Sequence, residues 1–182
     1  MNLHKTARLM SVACLLLTSQ VYADDIGTIT INGALKSPTC DAKINNGAAN
    51  GTVTLPSVTT SALASAAQVA GKTPFSLNLT GCDPAGSVHP YFQSNQATVS
   101  ATSGRLLNTA TLAPAAFVEL QLLNANDGVV NLSGGAAAQN AGESKVDATG
   151  AATLNFSIEY YAVQQTTAGA VSSTLTYVIN YI

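Results

Sequence analysis

The sequence has few charged and aromatic residues and no tryptophan. Of its 182 residues, 9% are charged and 5% are aromatic. The seven basic residues do not cluster, so nothing points to a nucleic-acid-binding surface. Few rings are available to stack on sugars, which disfavours a carbohydrate-binding module. Ser, Thr, Asn and Gln supply most of the polarity, a composition that suits burial against neighbouring proteins.

Recognisable catalytic and metal-binding motifs are missing as well. After residue 23 the sequence has one histidine, His89, and a lone histidine is more often structural than catalytic. G-x-S-x-G, H-E-x-x-H and glycine-rich phosphate loops do not occur. Residues 124–128 resemble a calcium loop only superficially, because Gly135 stands at the twelfth position, where a bidentate glutamate is required. We therefore expect no enzymatic activity, no cofactor and no metal.

The first 23 residues have the pattern of a secretory signal. Lys5 and Arg8 supply positive charge, residues 9–17 form an apolar run, and residues 21–23 form a small-x-small cleavage site. A membrane-spanning helix needs about 20 apolar residues, more than this run supplies. We expect cleavage after Ala23 and export of the remaining 159 residues, enough for one domain, with a net charge of −4 from five basic and nine acidic residues.

Cys14 lies in the predicted signal, so two cysteines remain after cleavage. Cys40 and Cys82 would then lie in an oxidising compartment, and we expect them to form a disulfide. In the chain-entropy model, closing a loop of roughly 43 residues stabilises a fold by about 4 kcal/mol. A metal site usually requires more cysteine or histidine ligands, and a redox-active pair is usually spaced C-x-x-C, so a structural disulfide is favoured.

Apolar residues recur mostly with a period of two, in short runs separated by turn residues. This pattern is typical of an antiparallel all-β domain. Residues 124–128, which include Asp127-Gly128, predict a hairpin turn. Residues 61–69 could form one or two helical turns but lack a wide apolar stripe, and we expect a loop there. Residues 134–150 are expected to be a loop flanking a short strand. The predicted strands are residues 52–55, 75–80, 117–123, 129–132, 151–161 and 174–182.

The segment that follows the signal alternates like a strand. Within residues 24–35, one face carries Ile29, Ile31, Gly33 and Leu35. Residues 36–38 then interrupt the pattern with a proline, which cannot donate to a ladder. From the pattern alone the segment is either the first strand of the domain's own sheet or a detachable arm.

The last segment, residues 174–182, also alternates. Unless other strands cover both of its edges, its backbone groups invite pairing with another chain. The pattern alone does not decide which face is buried. One face would carry Leu175, Tyr177, Ile179 and Tyr181, and the other Val178 and Ile182.

Several features together resemble one family. They are the arm TITINGALKSPTC running into Cys40, the single pair Cys40 and Cys82, the penultimate aromatic Tyr181, and Gly169, fourteenth from the last residue. The stretches FVELQLLNANDG and LNFSIEYYAV extend the match along the chain after residue 23. The sequence resembles the pilin subunits of the bacterial chaperone-usher family, close to the type 1 fimbrial subunits.

The resemblance implies an all-β, incomplete immunoglobulin-like sandwich that lacks its last strand. A hydrophobic groove would then lie beside the C-terminal strand. A periplasmic chaperone would fill this groove temporarily, and at an outer-membrane usher the arm of the next subunit would replace it. The expected divisions are residues 1–23 as the signal, 24–38 as the donor-strand extension and 39–182 as the pilin domain. The expected location is a fimbria on the cell surface, reached through the periplasm.

The resemblance also implies roles for individual residues. Burial of Ile29, Ile31 and Leu35 in a neighbour's groove would contribute about 5 to 9 kcal/mol. Gly33 would lie where the groove narrows and two backbones approach closely. Family precedent favours contact of the chaperone with Tyr177, Ile179 and Tyr181.

Three functions remain open at this point. A shaft subunit polymerising with its own copies is favoured, and a minor adaptor or adhesive pilin is the nearest alternative. Tip adhesins of the family carry an extra N-terminal lectin domain in place of the arm, for which we expect no room here. A secreted carbohydrate-binding sandwich is the third possibility.

Overall fold

Eight strands and two short 3-10 helices form within residues 40–182, the residues that this computed structural model describes. The predicted signal and arm, residues 1–38, lie outside them. The helices are Thr60–Leu63 and Ala136–Ala138. The strands are β1 (Asp41–Ile44), β2 (Val69–Thr80), β3 (Ser87–Gln93), β4 (Leu106–Leu107), β5 (Val118–Asn124), β6 (Ser144–Lys145), β7 (Ala152–Ala162) and β8 (Thr176–Tyr181).

The strands form two antiparallel sheets that enclose one core. The larger sheet has the order β1-β2-β7-β5-β4, and the smaller has the order β6-β3-β8. In β7 the apolar Leu154 and Phe156 are buried while the polar Thr153 and Asn155, which alternate with them, are exposed, as the period of two predicts. Phe156 meets Phe92 of the smaller sheet edge to face, with ring centroids 5.3 Å apart. The prediction of an all-β sandwich is therefore confirmed.

The disulfide between Cys40 and Cys82 is present, as expected. It joins the residue before β1 to the loop after β2, with the two Cα atoms 4.5 Å apart. Both cysteines are buried in the core cluster. In residues 40–182 none of the helices has the length and apolar character needed to cross a membrane.

Two of the strand predictions are wrong. Residues 52–55 belong to no strand, although Val53 and Leu55 pack against the core. They lack a ladder partner within residues 40–182, and alternation alone does not supply one. Residues 129–132 make a single bridge, Leu123 to Val129, and then leave the sheet. The other predicted runs correspond to parts of β2, β5, β7 and β8.

The strands β1, β3 and the two-residue β4 were not predicted from the sequence. Proline interrupts the pattern of β3 at Pro90, yet Pro90 is buried opposite Ile179 of β8. Proline is tolerated because β3 pairs with β6 only at its start. Beyond that point the side chain of Gln139 accepts a hydrogen bond from the Phe92 amide at 2.9 Å and donates one to the Phe92 carbonyl at 2.6 Å.

Candidate strand-accepting groove

Strand β8 has one open edge. Within the described residues it pairs only with β3, in a register that places Tyr177 opposite Phe92 and Ile179 opposite Pro90. No other strand of residues 40–182 forms a ladder with its second edge. The backbone amide and carbonyl groups of alternate residues in this six-residue strand therefore face a neighbour that residues 40–182 do not supply.

The first described segment runs beside this open edge. At one end the Cys40 amide donates a hydrogen bond to the Tyr181 hydroxyl at 2.7 Å. Further along, the Tyr177 hydroxyl donates to the Ala49 carbonyl at 2.9 Å. At the other end residues 57–60 face residues 166–171. The two segments therefore run antiparallel, and we call the space between residues 44–60 and 166–181 the groove.

Two cavities mark the groove along its length. One of about 350 Å³ lies between Ile44, residues 49–51 and residues 175–177. A second, of about 680 Å³, lies between residues 57–60 and 166–171 and also contacts Val118 and Tyr160. The first and last segments are thus separated by open space. Tyrosine side chains cross this space, and no strand within residues 40–182 bridges it.

The groove is lined by half-buried apolar side chains that pack against the core. Ile44, Val171, Leu175 and Tyr177 border its cavities. Val53, Leu55 and Ile179 belong to the same two segments and are also half-buried against the core. Thr176 and Val178, which alternate with the lining residues in β8, are exposed. Burial raises the pKa of the Tyr177 hydroxyl, which further favours the protonated form that donates the hydrogen bond. Such an edge, apolar below and polar along its backbone, suits an extended strand with alternating apolar residues.

The residues predicted for the last strand take two positions in the structure. Leu175, Tyr177 and Ile179 point inward along the groove, and Val178 points outward. Tyr181 shares their register but is 42% exposed, with its hydroxyl on the Cys40 amide. The arm residues Ile29, Ile31, Gly33 and Leu35 lie outside the described residues.

Gly169 lies beside the larger cavity, where two segments touch. A Cβ atom at this position would lie 2.5 Å from the Pro114 carbonyl carbon and 2.6 Å from the Ala113 carbonyl oxygen. Hydrogen bonds hold this approach: the Ala115 amide donates to the Ala170 carbonyl at 2.9 Å, and the Ala170 amide donates to the Ala113 carbonyl at 2.8 Å. Glycine is required here for lack of space.

Sequence reasoning did not assign Val53, Leu55 or Val171 to the site. Their alternation was visible for residues 52–55, but it was interpreted as an ordinary strand. For Val53 and Leu55, a clue is the combination of this alternation with the lack of a ladder partner within residues 40–182.

The sequence matches known proteins over most of its length. Residues 55–182 match the family model of FimA, the type-1 fimbrial protein A. The chain is 42% identical over 158 residues to the major fimbrial subunit SMF-1 of Stenotrophomonas maltophilia, covering 85% of this chain and 92% of that one. It is 40% identical to the F17 fimbrial protein of Escherichia coli, covering 85% and 87%. It is 32% identical to the minor fimbrial subunit HifD of Haemophilus influenzae, covering 99% and 83%.

Solved structures share the fold. The type I fimbria protein BPSL1626 of Burkholderia pseudomallei superimposes with a TM-score of 0.53 at 25% identity, over 78% of this chain and 94% of that one. The P pilus rod subunit PapA gives a TM-score of 0.59 at 16% identity, over 78% and 99%. The likeness to PapA shows the immunoglobulin-like fold alone.

Proposed function

The chain belongs to the FimA family of type-1 fimbrial proteins, and from this premise we propose that it builds a fimbrial shaft by accepting a neighbour's strand in its groove. It is a structural subunit of a surface fimbria, and it assembles with other pilin subunits. The open edge of β8 above half-buried apolar side chains is the observation that supports strand acceptance. The higher identity to a major subunit than to a minor one supports the shaft role.

The occupant that we propose is the arm within residues 24–38 of the next copy. Its in-facing residues span Ile29 to Leu35, about 20 Å at roughly 3.3 Å per residue. By the same measure β8, which has six residues, spans about 17 Å, so the arm is long enough to cover it. Burying the Ile29, Ile31 and Leu35 side chains would contribute about 5 to 9 kcal/mol, before any ladder hydrogen bonds are counted. Gly33 would occupy the narrowest part of the groove.

The arm would run antiparallel to β8. Every pair in the β6-β3-β8 sheet is antiparallel, and an antiparallel fourth strand continues that sheet. The first segment runs antiparallel to β8 as well, so the inserted strand would lie parallel to residues 49–58. This arrangement completes an immunoglobulin-like sandwich from two chains.

A chaperone would cover the groove before assembly. An uncovered apolar edge would pair with other chains at random, because open strand edges aggregate. We propose that Leu175, Tyr177, Ile179 and Tyr181 contact a periplasmic chaperone, that an outer-membrane usher exchanges it for the arm, and that residues 1–23 direct export. The division into signal, arm and the domain of residues 39–182 is part of the same proposal.

Deletion of residues 24–35 tests the proposal. The shortened subunit should reach the periplasm in a chaperone complex but fail to extend a fibre. The readout is the ladder of SDS-resistant, heat-dissociated polymers on a gel. A matched control replaces the out-facing Thr30 and Asn32 by serine, which keeps the arm and should keep the ladder. A normal ladder from the deleted chain would overturn strand acceptance.

A further inference from the structure

Three exposed apolar side chains lie at neighbouring strand ends of the larger sheet. Val69 begins β2, Phe117 precedes β5 and Val163 follows β7, and these strands are adjacent in the order β2-β7-β5. They are 46%, 50% and 42% exposed. The Val163 amide donates a hydrogen bond to the Phe117 carbonyl at 2.9 Å, which places these two residues side by side. We call Val69, Phe117 and Val163 the end patch.

Phe117 is held in an unfavourable conformation. Its φ is +59°, in the left-handed region, which costs a bulky residue about 1 to 3 kcal/mol. Its neighbours fix it there, because Val118 pairs with Ala162 of β7 and the Ala116 amide donates to the Thr167 hydroxyl at 2.8 Å. A strained backbone that leaves an aromatic ring half in water is expected where the ring meets a partner.

The end patch adjoins one end of the groove. Val118, next to Phe117, lines the larger cavity together with residues 166–171. Cys40 and Tyr181 mark the opposite end of the groove. An arm that runs antiparallel to β8 leaves the groove on the side of the end patch, since that side holds the start of the last segment.

The segment that joins the inserted arm to its own domain is short, so the domain of the next copy cannot lie far from the groove. Residues 36–39 are the only link between Leu35 in the arm and Cys40, where the next copy's domain begins. Five residue steps reach about 17 Å when fully extended. The Cys40 end of the next copy must therefore lie close to the end patch.

The Cys40 end carries its own exposed apolar side chains. Tyr181, whose hydroxyl accepts from the Cys40 amide, is 42% exposed, and Ile182 is 66% exposed. An apolar surface at each end of one chain fits a head-to-tail contact, which repeats along a filament instead of closing into a dimer.

We propose that the end patch of each subunit is buried against the Tyr181 and Ile182 end of the next copy. The fimbria is then joined at each step by an apolar contact between bodies as well as by an inserted strand. This inference rests on the proposed strand exchange, because the direction and length of the arm place the two ends together.

Cysteine labelling in intact fibres tests the contact. Phe117→Cys places a thiol in the end patch, and Val129→Cys, at a residue that is 45% exposed beyond the far end of β5, is the matched control. Because Cys40 and Cys82 are bonded to each other in the disulfide, a maleimide labels the introduced thiol. In fibres, Phe117→Cys should react at least tenfold more slowly than Val129→Cys, and heat dissociation should equalise the rates. Equal rates in intact fibres would overturn the contact.

Further readouts separate this proposal from strand exchange. If the fibres give an SDS-resistant ladder but Phe117→Cys is labelled quickly, the contact at the end patch is refuted and strand exchange stands. If the native chain gives no ladder, strand exchange is refuted. If Phe117→Cys does not assemble, Val163→Cys takes its place with the same expectation. Fibres polymerised from this chain alone should show the same protection. Protection that requires another fimbrial protein would contradict a second copy as the occupant.

Discussion

The Tyr177 hydroxyl on the last strand donates a hydrogen bond to the Ala49 carbonyl on the first segment, across 2.9 Å. This bond crosses the groove at a place where no strand of residues 40–182 joins the two sides. A side chain thus ties together two segments that a backbone ladder would join in a complete sandwich. Removal of this hydrogen bond should therefore lower the stability of the subunit and change the width of the groove.

Tyr177→Phe should lower the free energy of unfolding by about 1 kcal/mol, the usual contribution of one hydrogen bond. Urea unfolding of the chain measures this loss. Tyr91→Phe is the control, because Tyr91 pairs with the out-facing Val178 on the other side of the same sheet. Equal losses in the two variants would show that the bond across the groove contributes nothing.

Alkaline pH should weaken the same contact. Burial raises the pKa of Tyr177 above its ordinary value of 10.0, so the folded chain holds this proton more tightly than the unfolded chain. The associated stability is present below about pH 10 and is lost as the pH rises further. The melting temperature of Tyr177→Phe should therefore fall less steeply above pH 10 than that of the native chain. Equal slopes would contradict a role for the Tyr177 proton in stability.

Gly169→Ala should destabilise the fold by about 1 to 3 kcal/mol, the range for overfilling a tightly packed site. The added methyl group would collide with the backbone of residues 113–115. Gly135→Ala is the matched control, since a Cβ atom there meets nothing within 4 Å and its φ of −66° suits alanine. Thermal unfolding compares the two, and a neutral Gly169→Ala would refute the close approach.

Gly33→Leu should slow polymerisation at least several-fold, because a large side chain would overfill the narrow part of the groove. Asn32→Leu adds the same side chain on the opposite face of the arm and should leave the rate nearly unchanged. The time course of the SDS-resistant ladder reports both. Identical time courses for Gly33→Leu and the native chain would contradict close packing at this position.

Cys40→Ser should lower the periplasmic yield, because loss of the disulfide removes about 4 kcal/mol of stabilisation in the chain-entropy model. Cys14→Ser, within the predicted signal, is the control and should leave the yield of folded subunit unchanged. Thiol titration of unfolded, unreduced protein should find no free Cys40 or Cys82. Two free thiols in this protein would contradict the bridge.

Much of the fold followed from the sequence because it depends on local alternation. The period of two located the strands that became parts of β2, β5, β7 and β8. It failed where pairing depends on something distant. Residues 52–55 alternate like a strand but have no ladder in the described chain, and Pro90 concealed β3, whose outer edge is satisfied by Gln139.

The groove was predictable only in part. The family resemblance pointed to the last strand and to Gly169, and the alternation of residues 174–182 left both faces open. Family precedent favoured Tyr177, Ile179 and Tyr181, and packing against the core gives the inward set as Leu175, Tyr177 and Ile179. The reason for Gly169 is its contact with residues 113–115, which are distant in the sequence and therefore invisible to a local pattern.

A cryo-electron microscopy reconstruction of sheared fibres tests strand acceptance most directly. The account predicts that residues 29–35 of one subunit form a strand in the groove of the next, antiparallel to β8, with Ile29, Ile31 and Leu35 on the apolar lining. An arm folded into its own subunit's groove, or a groove occupied by no strand in the assembled fibre, would contradict it.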